Sequence, residues 1–178
     1  MGLAVVAAAS LAQANAAVIL SPGASYSYST DLGATWNLPS PAPFGNTTGG
    51  DFGANTSWPA SGNMWVQTTI DLTGYDLSSI QYDLGVDNGY DLFLNNNHVA
   101  GANAEGFTYR WEYSGAISSA FLHSGNNALL VKLEDHGGLT AFDMQITGNL
   151  AAVPEPSTYF AGMTALGMLC LFGRRNRK

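Results

Sequence analysis

Apolar and polar residues alternate along the middle of the chain with the period of a β-strand. In Ile80 to Asp87, Ile80, Tyr82, Leu84 and Val86 fall on one face and Gln81, Asp83, Gly85 and Asp87 on the other, which predicts a half-buried strand. Asn88-Gly89 follows, a dipeptide suited to the positive φ angles of a two-residue hairpin turn, and Tyr90-Asp91-Leu92-Phe93-Leu94 then reads as the returning strand. Upstream, Trp65 to Leu72 is rich in β-branched and aromatic residues, and Gly74 with Asp76 closes it as a turn. Asn95-Asn96-Asn97 offers a second tight turn into His98-Val99-Ala100, because asparagine tolerates the left-handed region almost as glycine does. Phe107 to Tyr113 alternates aromatic with polar residues, and Ala128 to Glu134 and Ala141 to Thr147 supply two more strands. Ile117 to Leu122 has room for one helical turn, and no segment before Tyr159 holds a helical period for long.

Between Ala17 and Gly62 the chain is rich in Ser, Pro, Gly, Asn and Thr, with Tyr26, Tyr28, Trp36, Phe44, Phe52 and Trp58 scattered through it. Pro39, Pro41 and Pro43 limit any strand there to short edge pieces, because proline cannot donate to a sheet ladder. Short strands are expected at 17–20 and 25–30. The pattern predicts an all-β fold, an antiparallel β-sandwich of about seven strands, with residues 17–62 as its loop-rich start and 63–150 as its core.

The two ends read differently. Residues 2–14 form an apolar run of secretory-signal length, followed by Ala14-Asn15-Ala16, the small-x-small pattern that signal peptidase cuts. Cleavage is expected after Ala16, giving a signal peptide over residues 1–16, although no basic residue precedes Arg110. At the other end, Tyr159 to Gly173 is free of charge and abuts Arg174, Arg175, Arg177 and Lys178. At about 1.5 Å per helical residue this segment would cover roughly 22 Å, a marginal transmembrane helix. The basic cluster would hold its end on the cytoplasmic side and leave everything before Tyr159 outside.

Twelve acidic residues but only two bases, Arg110 and Lys132, lie between Ala17 and Val153, a net charge of −10. Such a surface repels nucleic acid and anionic lipid headgroups, so nucleic-acid binding is excluded. The single cysteine, Cys170, lies in the apolar tail, so the external domain holds no disulfide and packing alone supports it.

The order Pro154-Glu155-Pro156, short apolar segment, Arg-rich end resembles the PEP-CTERM sorting signal of exported proteins in polysaccharide-producing Gram-negative bacteria, here over residues 151–178 with 159–173 in the membrane. The resemblance implies that an exosortase reads Pro154, Glu155 and Pro156 and removes the tail after transient insertion, with Arg174, Arg175, Arg177 and Lys178 as the cytoplasmic anchor. It further implies an exported protein, held briefly at the inner membrane and then delivered to the cell surface or extracellular matrix. Val86 to Asn95, Ser124 to Val131, Gly137-Gly138 and Ala141 to Ile146 resemble a galactose-binding-like jelly roll, over roughly residues 60–150.

Three kinds of chemistry are open to such a chain. A glycan site would use Tyr109, Trp111 and Tyr113 as a stacking strip, since sugar C–H faces pack on aromatic rings; the same residues at period two also suit a core. A calcium site would draw on Asp83, Asp87, Asn88 and Asp91 around the first hairpin, but the spacing matches no dedicated calcium loop, and solvated acids with no metal are the expectation. No cofactor is expected. His98, His123, His136 and Glu134-Asp135-His136 form no recognisable catalytic set, which points away from an enzyme. The sequence therefore predicts an exported surface or matrix protein, either binding exopolysaccharide through its sandwich or serving as a self-associating structural component. A tail-anchored envelope protein is the further alternative.

Overall fold

The computed structural model describes residues 16–46, 53–103 and 110–152. Ala14, Tyr109, Pro154, Glu155, Pro156, the 159–173 segment, Arg174, Arg175, Arg177 and Lys178 lie outside the described residues. All described residues but Ala151 and Ala152 belong to one compact unit, Gln13–Leu150. Among the described residues no helix is long and apolar enough to cross a membrane.

The elements are β1 (Ala16–Leu20), β2 (Ser25–Ser29), β3 (Asn37–Pro41), β4 (Phe44–Gly45), β5 (Thr56–Ser57), β6 (Met64–Asp71), β7 (Gln81–Asp87), β8 (Gly89–Leu94), β9 (Asn97–Asn103), β10 (Tyr113–Ala116), β11 (Asn126–Glu134) and β12 (Ala141–Asn149). Two single turns of 3-10 helix, Leu77–Ser79 and Ser119–Phe121, complete the set. The strands form two sheets. The first has the order β10-β7-β12-β4-β5, with β1 also paired to β12; the second has the order β3-β2-β6-β11-β8-β9. Every pairing is antiparallel except β4 with β5. The fold is all-β, a two-sheet sandwich, as the alternation predicts.

Burial follows that alternation closely. In β11, Asn127, Leu129, Val131 and Leu133 are buried while Ala128, Leu130, Lys132 and Glu134 face outward. Ile80, Tyr82, Leu84 and Val86 are all core residues. The loop-rich start supplies much of the interior: Tyr26, Phe44 and Trp58 are among its largest fully buried side chains. Tyr26 of the second sheet meets Phe142 of the first edge-on, with ring centres 5.5 Å apart, and so ties the layers together. The proline-bearing β3 is an edge strand, where a missing N–H costs no ladder bond.

The Asn88-Gly89 hairpin expected from sequence does not form. β7 lies in the first sheet and β8 in the second, so the chain crosses between layers there. Asp87 pairs with Ala141 on one side of the crossing, and Gly89 with Glu134 and Asn103 on the other. The Asp87–Asn88 peptide is cis. Gly89 does not adopt a positive φ; its value here is closeness, since a Cβ would stand 3.0 Å from the Ala102 carbonyl oxygen. The turn at Asn95-Asn96 does form, with φ of 49° and 66°, and joins β8 to β9 with Leu94 opposite Asn97.

Candidate functional site

The outward face of the second sheet brings together aromatic and polar side chains from four neighbouring strands. Register fixes its layout. Trp65 of β6 stands opposite Lys132 of β11, which stands opposite Asp91 of β8, which stands opposite Gly101 of β9. The next row is Gln67, Leu130, Phe93 and His98, two residues along on β6, β11 and β8 and three along on β9, where the register shifts.

Lys132 occupies the centre. Its Nζ lies 4.3 Å from the middle of the Trp65 ring and 4.8 Å from that of Phe93, a double cation–π arrangement. Phe93 meets the His98 ring edge-on at 5.2 Å, and Nε2 of His98 lies 2.9 Å from Oδ1 of Asp91. Gly33 lies close against Trp65, since a Cβ there would stand 2.8 Å from the ring. The Ser29–Thr35 turn that presents Gly33 is held by Asp31, whose carboxylate accepts from the Ser29 hydroxyl at 2.6 Å and the Thr35 amide at 2.9 Å. Those bonds hold the Asp31 carboxyl below its ordinary range, at about 2.

Two hollows flank this strip. One, of about 290 Å³, is lined by Asp91, His98, Gly101, Asn103 and Glu134 with the backbone beside them. The other, of about 340 Å³, is lined by Ser27, Gln67, Thr69, Asn96, Ala128 and Leu130. The first depends on Gly101: a Cβ there would come within 2.5 Å of Asp91 Oδ1 and 3.3 Å of His98 Nε2.

The structure separates the three acids expected around a first hairpin. Asp83 accepts from the Gln145 amide at 2.8 Å on β7. Asp91 faces outward on the other sheet and pairs with His98. Asp87, expected on the solvent side of its strand, is only 3% exposed. β7 leaves its sheet for the other at this point, so Asp87 is buried at the crossing, within reach of the Asp135 charge, rather than left at an open turn. Burial first, and the Asp135 charge second, push the Asp87 carboxyl up to about 6. Asp135 accepts from the backbone amides of Ser61 and Gly137. Among the described residues no three His, Cys, Asp or Glu side chains gather into a group fit to hold a metal ion.

Of the Phe107–Tyr113 segment, read as a strand with Tyr109, Trp111 and Tyr113 either as a stacking strip or as core, only Arg110 to Tyr113 lie among the described residues. Arg110 and Trp111 form a turn, with Trp111 at a φ of 65°, and among residues 110–113 strand structure begins at Tyr113. Trp111 is half-buried with the Arg110 guanidinium 4.9 Å above its ring. Tyr113 packs on Tyr90 at 4.9 Å, against the core. Beside this turn Asp143, which has no side-chain exposure, takes the Arg110 Nη2 at 2.5 Å. Asp143 also accepts from the amides of Gly23 and Met144.

Sequence reading missed the Trp65-Lys132-Phe93-His98 assembly because its members come from four strands. The signal was present in each strand as the outward half of the alternation, but joining the halves needs the strand order. Of the other histidines, His123 Nδ1 lies 3.1 Å from the Ser124 carbonyl oxygen and His136 Nε2 lies 3.9 Å from Glu134.

No protein-family model matches the chain, and no curated protein matches it. Solved structures do. A β-glucuronidase from Ruminococcus gnavus in complex with uronic isofagomine aligns with a TM-score of 0.50 at 11% identity, over 78% of this chain and 29% of that one. An uncultured Clostridium sp. β-glucuronidase aligns with a TM-score of 0.50 at 9% identity, over 80% of this chain and 30% of that one. The chain thus spans under a third of those enzymes' length, and the likeness is one of β-sandwich fold. A PA14 sugar-binding domain from an RTX adhesin aligns with a TM-score of 0.34 at 18% identity, over 53% of this chain and 49% of that one.

Proposed function

We propose that this is an exported, non-enzymatic cell-surface or matrix protein whose sandwich binds exopolysaccharide. In this reading an N-terminal signal directs export and signal peptidase removes it. An exosortase then releases the chain from the inner membrane at Pro154-Glu155-Pro156. The sandwich is of jelly-roll type.

The observation that carries the binding role is the outward Trp65-Lys132-Phe93-His98 cluster, which spans two neighbouring rows of the sheet, with hollows on both sides lined by Asp91, Glu134, Asn103, Gln67 and Thr69. Aromatic faces take the C–H faces of sugar rings, and carboxylate and amide oxygens accept hydrogen bonds from hydroxyls. A cluster spread over several strands suits an extended polymer better than a small molecule, because successive sugar units would meet successive strands about 4.8 Å apart. The binding surface in this proposal is therefore the second sheet and not the Tyr109, Trp111 and Tyr113 segment.

The experiment is co-sedimentation of the full chain with insoluble exopolysaccharide from a producing bacterium, comparing the wild type with Phe93→Ala. Retention that falls about tenfold in the variant supports the role. Equal retention of both proteins, or retention of neither, counts against it. Sorting is tested separately by the intact mass of the protein recovered outside cells with and without an active exosortase; a mass that includes Lys178 in both rejects it.

A further inference from the structure

We propose that the occupant of the acid-lined hollow on the second sheet is a polysaccharide carrying free, protonated amino groups, such as a partly de-N-acetylated hexosamine polymer. This rests on the glycan-binding reading above and names the substrate class of that same face.

The argument is one of charge complementarity. Between Ala17 and Val153 the chain has two bases, and both are already engaged. Arg110 pairs with the buried Asp143 on the other sheet, and Lys132 stands between the Trp65 and Phe93 rings. Neither lines the hollow. A uronate or sulfate group arriving there would find, among the described lining residues, only His98, already paired with Asp91, and would meet the repulsion of a surface with a net charge of −10.

An ammonium group would meet the opposite. Asp91 and Glu134 both line the hollow and are about half exposed, at 48% and 43%. Asp91 spends Oδ1 on His98, and no described residue donates to its Oδ2. Glu134 has only the 3.9 Å approach of His136 to Oε2, and no described residue donates to its Oε1. The hollow therefore offers two carboxylate oxygens as acceptors, one on each of two adjacent strands, over a floor kept open by Gly101. A bond from an ammonium group to a carboxylate is about twice as strong as one between neutral partners. The aromatic cluster beside the hollow would stack the sugar ring while the amine reaches the acids.

The test is titration of the full chain at mildly acidic pH, about 5.5, where an amino sugar is protonated while exposed carboxylates, with ordinary values near 3.9 to 4.3, stay ionised, with three soluble oligosaccharides: a glucosamine oligomer, its N-acetylated counterpart and a galacturonate oligomer. The amine-bearing oligomer is expected to bind about tenfold more tightly than the acetylated one, with the uronate unbound. Glu134→Gln is expected to weaken the amine-bearing oligomer about fivefold and leave the acetylated one unchanged. Glu112→Gln, which removes an exposed acid that does not line the hollow, should leave both unchanged. Equal binding of amine and acetylated oligomers, or preference for the uronate, would overturn the substrate class while leaving glycan binding standing. Equal losses in the Glu112 and Glu134 variants would reduce the effect to net charge and overturn it too. Binding of none of the three would remove the glycan-binding reading itself.

Discussion

Lys132 and Trp65 face each other across β11 and β6, with the ammonium nitrogen 4.3 Å from the centre of the indole ring. The relationship ties one of the two bases of the sandwich to a ring, and the same nitrogen lies 4.8 Å from Phe93. Replacing Lys132 with Met keeps the apolar stem and removes the charge, so stability should change by less than about 1 kcal/mol in urea unfolding. A larger loss would mean that the ammonium does more than rest on the rings.

Trp65 is set from its other neighbour by Gly33, which has a φ of 86° and no room for a Cβ against the ring. Gly33→Ala should cost about 1–3 kcal/mol and weaken glycan retention, because either the Asp31–Thr35 turn or the indole must move. Thermal unfolding and co-sedimentation of the variant measure both effects.

Asn127 is fully buried and closes the end of the second sheet. Its Oδ1 accepts from the His123 amide and from Asn95 Nδ2, and its Nδ2 donates to the carbonyls of His123 and Gly125. Asn127→Ala would orphan several of these groups and should cost about 2–4 kcal/mol in urea unfolding. A loss below about 1 kcal/mol would show that water replaces the amide at no great cost.

The Asp87 carboxyl, raised to about 6 by burial and by Asp135, makes a prediction about pH. The folded state holds this proton more tightly than the unfolded chain, whose aspartates titrate near 3.9. The associated stability is present below about pH 4 and is lost as pH rises through about 6. Asp87→Asn should therefore raise stability at pH 7 by about 1–2 kcal/mol and flatten its pH dependence between about 4 and 6 relative to the wild type. Parallel unfolding curves for the two proteins across that range would contradict it.

The fold was legible where one strand carries its own pattern. Ile80 to Asp87 and Ala128 to Glu134 show their inward faces by alternation alone, and Asn95-Asn96 marks its turn by backbone preference. Asn88-Gly89 misled because its residue types satisfy two different demands: a hairpin needs glycine for a positive φ, whereas here Gly89 lets the chain pass close to Ala102. Nothing local distinguishes the two. Trp111 misled in a similar way, since its place in an alternating run gives no sign of the positive φ it takes in a turn beside the Arg110–Asp143 pair, whose partners lie 33 residues apart. The candidate face was invisible for the converse reason, as Trp65, Phe93, His98 and Lys132 become neighbours only once β6, β11, β8 and β9 are laid side by side.

The most direct test of glycan binding by this sheet is an NMR titration of the isotope-labelled full chain with soluble exopolysaccharide fragments, following backbone amides and tryptophan indoles. Shift changes concentrated at Trp65, Phe93, His98, Gly101, Lys132 and Glu134 are predicted. Changes confined to β7, β10 and β12 of the first sheet, or none at saturating glycan, would contradict it.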